Sequence, residues 1–159
     1  MPQEATDWTK SRSKITPHFT VGEACWLPSW NCMHRPTLVQ QMNILDLAQR
    51  LEELRKLLGG HPFNIHCWMR PNPTITEGPR NGQDYNSFVG STAPNSGHLT
   101  GKAVDFHVRG FHGQGGCAEM RQRILPHLDA LGLRMEDING AWIHLDTKPV
   151  GSRGRFFKP

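Results

Sequence analysis

Two short segments with alternating polarity constrain this chain more than any other feature of its sequence. The segment 103–108 reads AVDFHV, so its valines and Phe106 face one side of an extended strand, while Asp105 and His107 face the other. A carboxylate inside an otherwise apolar strand needs a polar partner. The pattern therefore predicts a buried strand with a polar site on one face.

The second segment, 142–146, repeats the arrangement as WIHLD. Here Trp142, His144 and Asp146 share one face and the aliphatic residues share the other. Two strands of this kind can bring histidine and aspartate together on one side of a sheet.

A third polar residue, His98, precedes the first strand, and a glycine and an alanine leave room for its loop to fold back beside Asp105. With His144, the set is two imidazoles and one carboxylate, as in catalytic zinc sites that keep a water and lower its pKa to about 7. The spacing leaves a second interpretation open. In it His98 caps a turn, Asp105 pairs with Lys102 or Arg109, and His144 is a core histidine.

The remaining signals predict an α+β fold. A capping box at Thr20 and Glu23 predicts a short helix, and leucines at three- and four-residue spacing predict a long helix over 36–60. We expect one domain over residues 18–159, preceded by an arm over residues 1–17. Segment 72–95 is predicted to be a functional or mobile loop. Further predictions are strands 63–70 and 133–136, a helix over 117–130 broken at Pro126, and a hairpin turn at Asn139-Gly140.

Composition excludes some classes of function. The chain has 159 residues and a net charge of +4, with its basic residues scattered, so no nucleic-acid partner is expected. No apolar run is long enough for a membrane span, and the N-terminus lacks the apolar centre of a secretory signal. The four cysteines are expected to be free thiols. The positive charge suits acidic polymers such as bacterial wall.

The sequence resembles the zinc D-alanyl-D-alanine peptidase family, in particular its phage-encoded peptidoglycan peptidases. The family motif S-x-H-x-x-G-x-A-x-D stands at 96–105 as SGHLTGKAVD, and W-x-H-x-D stands at 142–146. Upstream, Arg70-Pro71 and the segment YNSFVG at 85–90 resemble the part between the family's arginine and its first histidine. The resemblance covers residues 18–159. It implies a small, mostly antiparallel sheet flanked by helices, with one zinc ion per chain held on the sheet by His98, Asp105 and His144.

The resemblance also implies roles for residues around the metal. Arg70 would contact a substrate carboxylate or the scissile carbonyl, although a surface arginine that ends a strand is the alternative. Ser96 would touch substrate or only stabilise its turn, and Trp142 is predicted to bind substrate. Asp146 and His107 are expected behind the ligands, with Asp146 orienting a histidine and His107 lining the site.

One departure from the family concerns the general base. Several relatives carry an acid three residues before the last histidine, where this chain has Ala141. Glu136, at the end of the preceding strand, is our predicted base, and Asp137 is the weaker candidate. The alternative makes Glu136 a surface residue paired with Arg134.

The resemblance, together with the three candidate ligands, implies a zinc metallopeptidase that hydrolyses stem or cross-link peptides of peptidoglycan, by D,D or L,D cleavage, as a carboxypeptidase or endopeptidase. We expect an endolysin held in the host cytoplasm until release, or a virion component that contacts phage tail proteins. The alternative is a non-catalytic zinc-binding structural or wall-binding module of a phage particle.

Overall fold

The computed structural model describes residues 5–28, 31–70 and 95–159. Most of the predicted loop 72–95, including the family-like segment 85–90, lies outside these residues. The helices are α1 (Val21–Cys25), α2 (Leu38–Leu57), α3 (Gly113–Ile124) and α4 (Leu128–Leu131), and 3₁₀ turns occupy Gly97–Leu99 and Leu125–His127. The strands are β1 (Lys14–Thr16), β2 (Phe19–Thr20), β3 (Trp26–Leu27), β4 (Cys32–Met33), β5 (Phe63–Cys67), β6 (Ala103–Val108), β7 (Arg134–Glu136), β8 (Ile143–Asp146) and β9 (Phe156–Phe157).

A five-stranded sheet in the order β5-β6-β8-β7-β9 forms the centre of the fold. Neighbouring strands in this sheet are antiparallel, except that β7 and β9 run parallel to each other. Two antiparallel pairs, β1-β2 and β3-β4, lie outside this sheet. The predicted α+β class with a mostly antiparallel sheet is confirmed.

One face of the sheet belongs to the hydrophobic core. The apolar positions of β6 and β8 are fully buried, and Phe106 stacks on Phe63 with ring centroids 4.6 Å apart. Apolar residues of α2 and α3 join the same cluster, among them Ile44, Leu47, Leu51, Met120 and Ile124. The predicted alternation is therefore confirmed, and it leaves the opposite face of the sheet for polar side chains.

Both helix starts expected from the sequence are capped. Thr20 and Glu23 form the predicted capping box of α1, and Thr37 and Gln40 form another at α2. The Gln40 amide nitrogen also donates to the Leu99 carbonyl at 3.1 Å. The first turn of α2 thus holds the 3₁₀ turn that carries His98.

Three local features differ from expectation. Lys14–Thr16 forms β1, and Ile15 is buried in the core, so this part of the expected arm belongs to the folded body. Helix α3 begins at Gly113, because Gly116 lets the helix approach the backbone of Phe111 where a Cβ would collide. Strands β7 and β8 pair as a hairpin, but a wider connection replaces the tight Asn-Gly turn.

The expected break of the helix at Pro126 is confirmed, and it takes the form of a 3₁₀ turn.

Among the described residues, no helix has the length and apolarity needed to cross a bilayer. All four cysteines fall within the described ranges, and all are free.

Candidate metal centre

His98, Asp105 and His144 converge on the polar face of the sheet. Their ligand atoms lie within 4.8 Å of one another, and within the described ranges no other group of three such side chains does so. Asp105 on β6 and His144 on β8 are directly opposite in the antiparallel register, which brings cross-strand side chains close. The three predicted ligands are therefore brought together by the sheet and by one adjoining turn.

The turn that carries His98 is fixed by buried contacts. The His98 Nδ1 lies 2.8 Å from the Trp68 carbonyl, which can only accept, so Nδ1 carries a proton and Nε2 is the nitrogen whose lone pair becomes available when the ring is neutral. Trp68 also donates its indole N–H to the Gly101 carbonyl at 3.1 Å. Gly101 has φ +79°, and a Cβ there would lie 2.8 Å from the Ile44 side chain. Only glycine fits this close approach.

Asp105 is the shared partner of the cluster. Its Oδ1 lies 2.7 Å from His144 Nδ1, and its Oδ2 lies 3.3 Å from His98 Nε2. The alternative pairing of Asp105 with Lys102 or Arg109 is therefore wrong, because the two imidazoles surround the carboxylate instead.

A chain of charged groups extends behind His144. Its Nε2 lies 3.5 Å from Asp146 Oδ2, and Arg134 holds that carboxylate with two hydrogen bonds of 2.7 and 2.8 Å. The guanidinium of Arg134 also lies over the Phe157 ring, 4.4 Å from its centroid. Asp146 therefore stands beside the outer nitrogen of His144, and Arg134 orients Asp146.

Electrostatics in the cluster follow from one buried carboxylate between two imidazoles. Burial alone would lower the pKa of His98, but the interactions with Asp105 and Cys67 together outweigh it and raise the pKa to about 10. Burial would also lower the pKa of His144, but the interactions with Asp105 and Asp146 together raise it. The pKa of Asp105 lies well below its ordinary value despite burial, because both histidines favour the carboxylate. Protons on the imidazoles thus balance the buried negative charge.

The donor set fits a divalent metal ion. His98 Nε2, His144 Nδ1 and the Asp105 carboxylate face one another, and the outer nitrogen of each histidine is held by Trp68 or Asp146. Metal-ligating histidines normally have such an outer hydrogen-bond partner. A cation here would replace the protons that otherwise balance Asp105. The cluster can therefore hold a metal ion through these three residues.

Arg70 reaches the cluster from the end of the segment after β5. Its Nη2 lies 3.4 Å from Asp105 Oδ2, and its Nε donates to Cys67 Sγ at 3.1 Å. Its backbone N–H donates to the His98 carbonyl at 2.9 Å. The interpretation of Arg70 as an ordinary surface residue is wrong, since its guanidinium lies beside a candidate ligand.

Glu136 lies on the strand next to His144. Arg134 pairs with Asp146 and Met135 with Leu145, and Glu136 is the next residue of β7, close enough to His144 for their charges to interact. Burial raises the pKa of Glu136, His144 opposes this shift, and the negative charge of Asp105 adds to it. The alternative pairing with Arg134 is wrong, because Arg134 binds Asp146. Asp137, the weaker candidate, is exposed.

Three other predicted residues lie nearby with different contacts. The Ser96 hydroxyl accepts from the His98 backbone N–H at 3.3 Å and so caps the 3₁₀ turn. Trp142 is 42% exposed, which leaves its ring open to a ligand. His107 hydrogen-bonds with Asn64 and His66, so it does not orient a candidate ligand.

The sequence did not single out Trp68, Cys67 or the role of Arg134 behind Asp146. Trp68 belongs to a predicted strand, and its function depends on a loop that returns thirty residues later. The sequence offered one signal for the role of Arg134: it stands on the same face of its strand as Glu136, and therefore on the polar face of the sheet.

The class that the geometry defines is an α+β protein whose sheet carries a cluster of two histidines and one carboxylate that can hold a metal ion. Comparison with protein-family models, with curated proteins and with solved structures finds no match for this chain.

Proposed function

We propose that this protein is a zinc-dependent peptidase that hydrolyses stem or cross-link peptides of bacterial peptidoglycan. The observation that carries the proposal is the convergence of His98, Asp105 and His144 with Glu136 on the adjacent strand. The resemblance of segments 96–105 and 142–146 to zinc D-alanyl-D-alanine peptidases supplies the substrate class.

Two imidazoles and one carboxylate are the ligand types of catalytic zinc sites, which leave a position for water or substrate. When bound, zinc supplies Lewis acidity toward a carbonyl and makes water a competent nucleophile at neutral pH. Asp105, paired with both histidines, provides the anionic ligand, and the Trp68 carbonyl and Asp146 hold the rings in place.

Glu136 is the proposed general base and acid. It accepts a proton as water oxygen bonds to the peptide carbonyl carbon, and it returns that proton to the amine nitrogen as the carbon–nitrogen bond breaks. Its burial favours the protonated form more than in water, which brings its pKa closer to neutral. Arg70 donates to a substrate carboxylate or to the carbonyl oxygen, and the exposed Trp142 ring offers a surface for the peptide.

Digestion of purified peptidoglycan followed by mass analysis of the fragments tests the proposal and identifies the bond that is cut. Glu136→Gln should retain zinc and melting temperature while activity falls by roughly 10²-fold or more. Asp137→Asn is the matched control and should stay active. A fully active Glu136→Gln beside an inactive Asp137→Asn would assign the base to Asp137 instead.

Ala141 favours a second candidate, a non-catalytic zinc-binding structural or wall-binding module of a phage particle. The residue stands where several relatives carry their acid, and it is exposed just before β8. Wild-type protein with full zinc that binds several peptidoglycan types, or assembles into a particle, yet releases no fragments would support this candidate. Fragment release would instead support an enzyme stored in the host cytoplasm for lysis or carried on the virion.

A further inference from the structure

A second pair of histidines lies on the polar face of the sheet, outside the candidate metal centre. His66 Nε2 is 2.6 Å from His107 Nδ1, and the two ring centroids are 4.9 Å apart. His66 is exposed and His107 is half-buried. Neither residue has a part in the proposed peptidase mechanism.

The pairing of β5 with β6 brings His66 and His107 together. Ile65 pairs with Phe106 and Cys67 pairs with Asp105, so His66 is the extra residue between them. Asn64 is the register partner of His107, and His66 stands two residues further along β5 on the same face of the strand. The His66 ring therefore lies diagonally across from the His107 ring. The approach of the two rings is therefore built into the strand pairing.

The hydrogen bonds around His107 define where its proton lies. The Asn64 amide nitrogen is 2.9 Å from His107 Nε2 and can only donate, so Nε2 accepts. The proton of the neutral ring is then on Nδ1, which donates to His66 Nε2. One proton thus lies between two ring nitrogens from adjacent strands, a position that a metal ion can take.

We propose that His66 and His107 form a second metal site, for an ion with affinity for imidazole such as Ni²⁺, Cu²⁺ or Zn²⁺. His66 Nε2 and His107 Nδ1 are the ligands, and water fills the remaining positions on the exposed side. Metal–nitrogen bonds of about 2.0–2.1 Å require the two nitrogens to stand about 3 Å apart. The exposed His66 side chain can move by the few tenths of an ångström that this needs.

Asn64 has a role in this second site as well. When a metal occupies His107 Nδ1, the ring proton moves to Nε2, and rotation of the Asn64 amide presents its oxygen as the acceptor. The outer nitrogen of His107 then has the partner that metal-ligating histidines normally require. The site does not depend on the proposed peptidase function.

Calorimetric titration of the whole chain with Ni²⁺ tests the proposal. His66→Ala and His107→Ala should each bind one ion fewer than wild type, or bind that ion at least tenfold more weakly. His127→Ala is the control, because His127 ends the 3₁₀ turn after α3 and belongs to neither β5 nor β6, so this change should leave binding unchanged. With Cu²⁺, electron paramagnetic resonance should detect two coordinating nitrogens at this site, and one in either variant.

His144→Ala separates this inference from the proposed function. The variant should lose the ion of the candidate metal centre and retain the one at His66 and His107. Equal Ni²⁺ binding by wild type and His66→Ala would overturn the second site, as would an equal loss in His127→Ala. Because His66 is exposed, its variant decides the question even if His107→Ala fails to fold. A His66-dependent ion in a protein without peptidase activity would support the second site and reject the proposed function.

Discussion

Glu52 on α2 and Asp105 on β6 are two carboxylates with the same exposure, 8%, in very different surroundings. Glu52 Oε1 accepts from the Thr16 hydroxyl and from the His18 backbone N–H, both at 2.8 Å, and Oε2 lies 2.8 Å from His18 Nδ1. Asp105 faces two imidazole nitrogens and a guanidinium instead.

The difference between the two carboxylates lies in their donors. Glu52 has a hydroxyl, a backbone N–H and only one imidazole as partners, all from Thr16 and His18, so this network joins the β1-β2 pair to α2 and stabilises the fold. The imidazoles around Asp105 are ligands themselves once they lose their protons. Burial alone therefore does not identify a functional carboxylate, whereas the chemistry of its hydrogen-bond partners does.

The sharpest test of this comparison is the loss of charge at each carboxylate. Asp105→Asn removes the anionic ligand, so zinc affinity should fall more than a hundredfold, beyond the effect expected for an outer partner. Glu52→Gln should retain wild-type zinc affinity. Competition with a chromophoric chelator measures both constants. Equal zinc affinity in Asp105→Asn and wild type would remove the distinction between the two carboxylates.

A smaller effect is expected from Arg134→Met. This change leaves Asp146 without its two charge-assisted hydrogen bonds, so Asp146 should orient His144 less well and zinc affinity should fall by about 10- to 100-fold. Arg134→Lys should recover only part of the loss, since lysine cannot bind a carboxylate through a planar fork. Chelator competition measures whether zinc affinity falls in the order wild type, Arg134→Lys, Arg134→Met. If both variants hold zinc as wild type does, Arg134 has a purely structural role.

Glu52→Gln should lower the free energy of unfolding by about 1–3 kcal/mol, because an NH2 group replaces Oε2 beside His18 Nδ1 and the two hydrogen bonds from Thr16 and His18 to Oε1 lose their charge assistance. Urea denaturation of metal-free protein measures the change. Glu53→Gln is the matched control on the neighbouring exposed position and should have little effect. If Glu52→Gln leaves the free energy of unfolding unchanged, the Glu52 network does not stabilise the fold.

The smallest expected effect is the pH dependence of the difference in unfolding free energy between wild type and Glu52→Gln. Burial would raise the pKa of Glu52, but hydrogen bonds from His18 and Thr16 outweigh it and lower the pKa below its ordinary 4.5. The unfolded chain then binds the proton first, so this stabilisation is present above pH 4.5 and is lost as pH falls through the folded pKa. The gap between wild type and Glu52→Gln, measured without metal, should therefore narrow on acidification. A gap that widens below pH 4.5 would contradict the assignment.

The candidate ligands could be predicted because their positions follow from local patterns. Alternation in 103–108 and 142–146 already places Asp105 and His144 on polar faces, and antiparallel pairing puts them opposite each other. The long helix α2 could be predicted in the same way, since Thr37 and Gln40 cap it within one turn. Such signals depend on residues that are close in sequence.

Features that depend on distant chain segments could not be predicted in the same way. The contact of Trp68 with the His98 turn and the parallel pairing of β9 with β7 are formed only when the fold is complete. Strand β1 was missed because three residues carry little periodicity, and Ile15 is buried by a helix far along the chain. Tertiary contacts outweigh local preference at these positions.

The bulge at His66 also affects how the molecule behaves among copies of itself. β5 ends the described sheet, and a flat terminal strand offers backbone groups on which another chain can add a strand. The extra residue between Ile65 and Cys67 twists this edge and interrupts its regular spacing of N–H and C=O groups. An irregularity of this kind makes the edge a poorer template for a strand from another molecule.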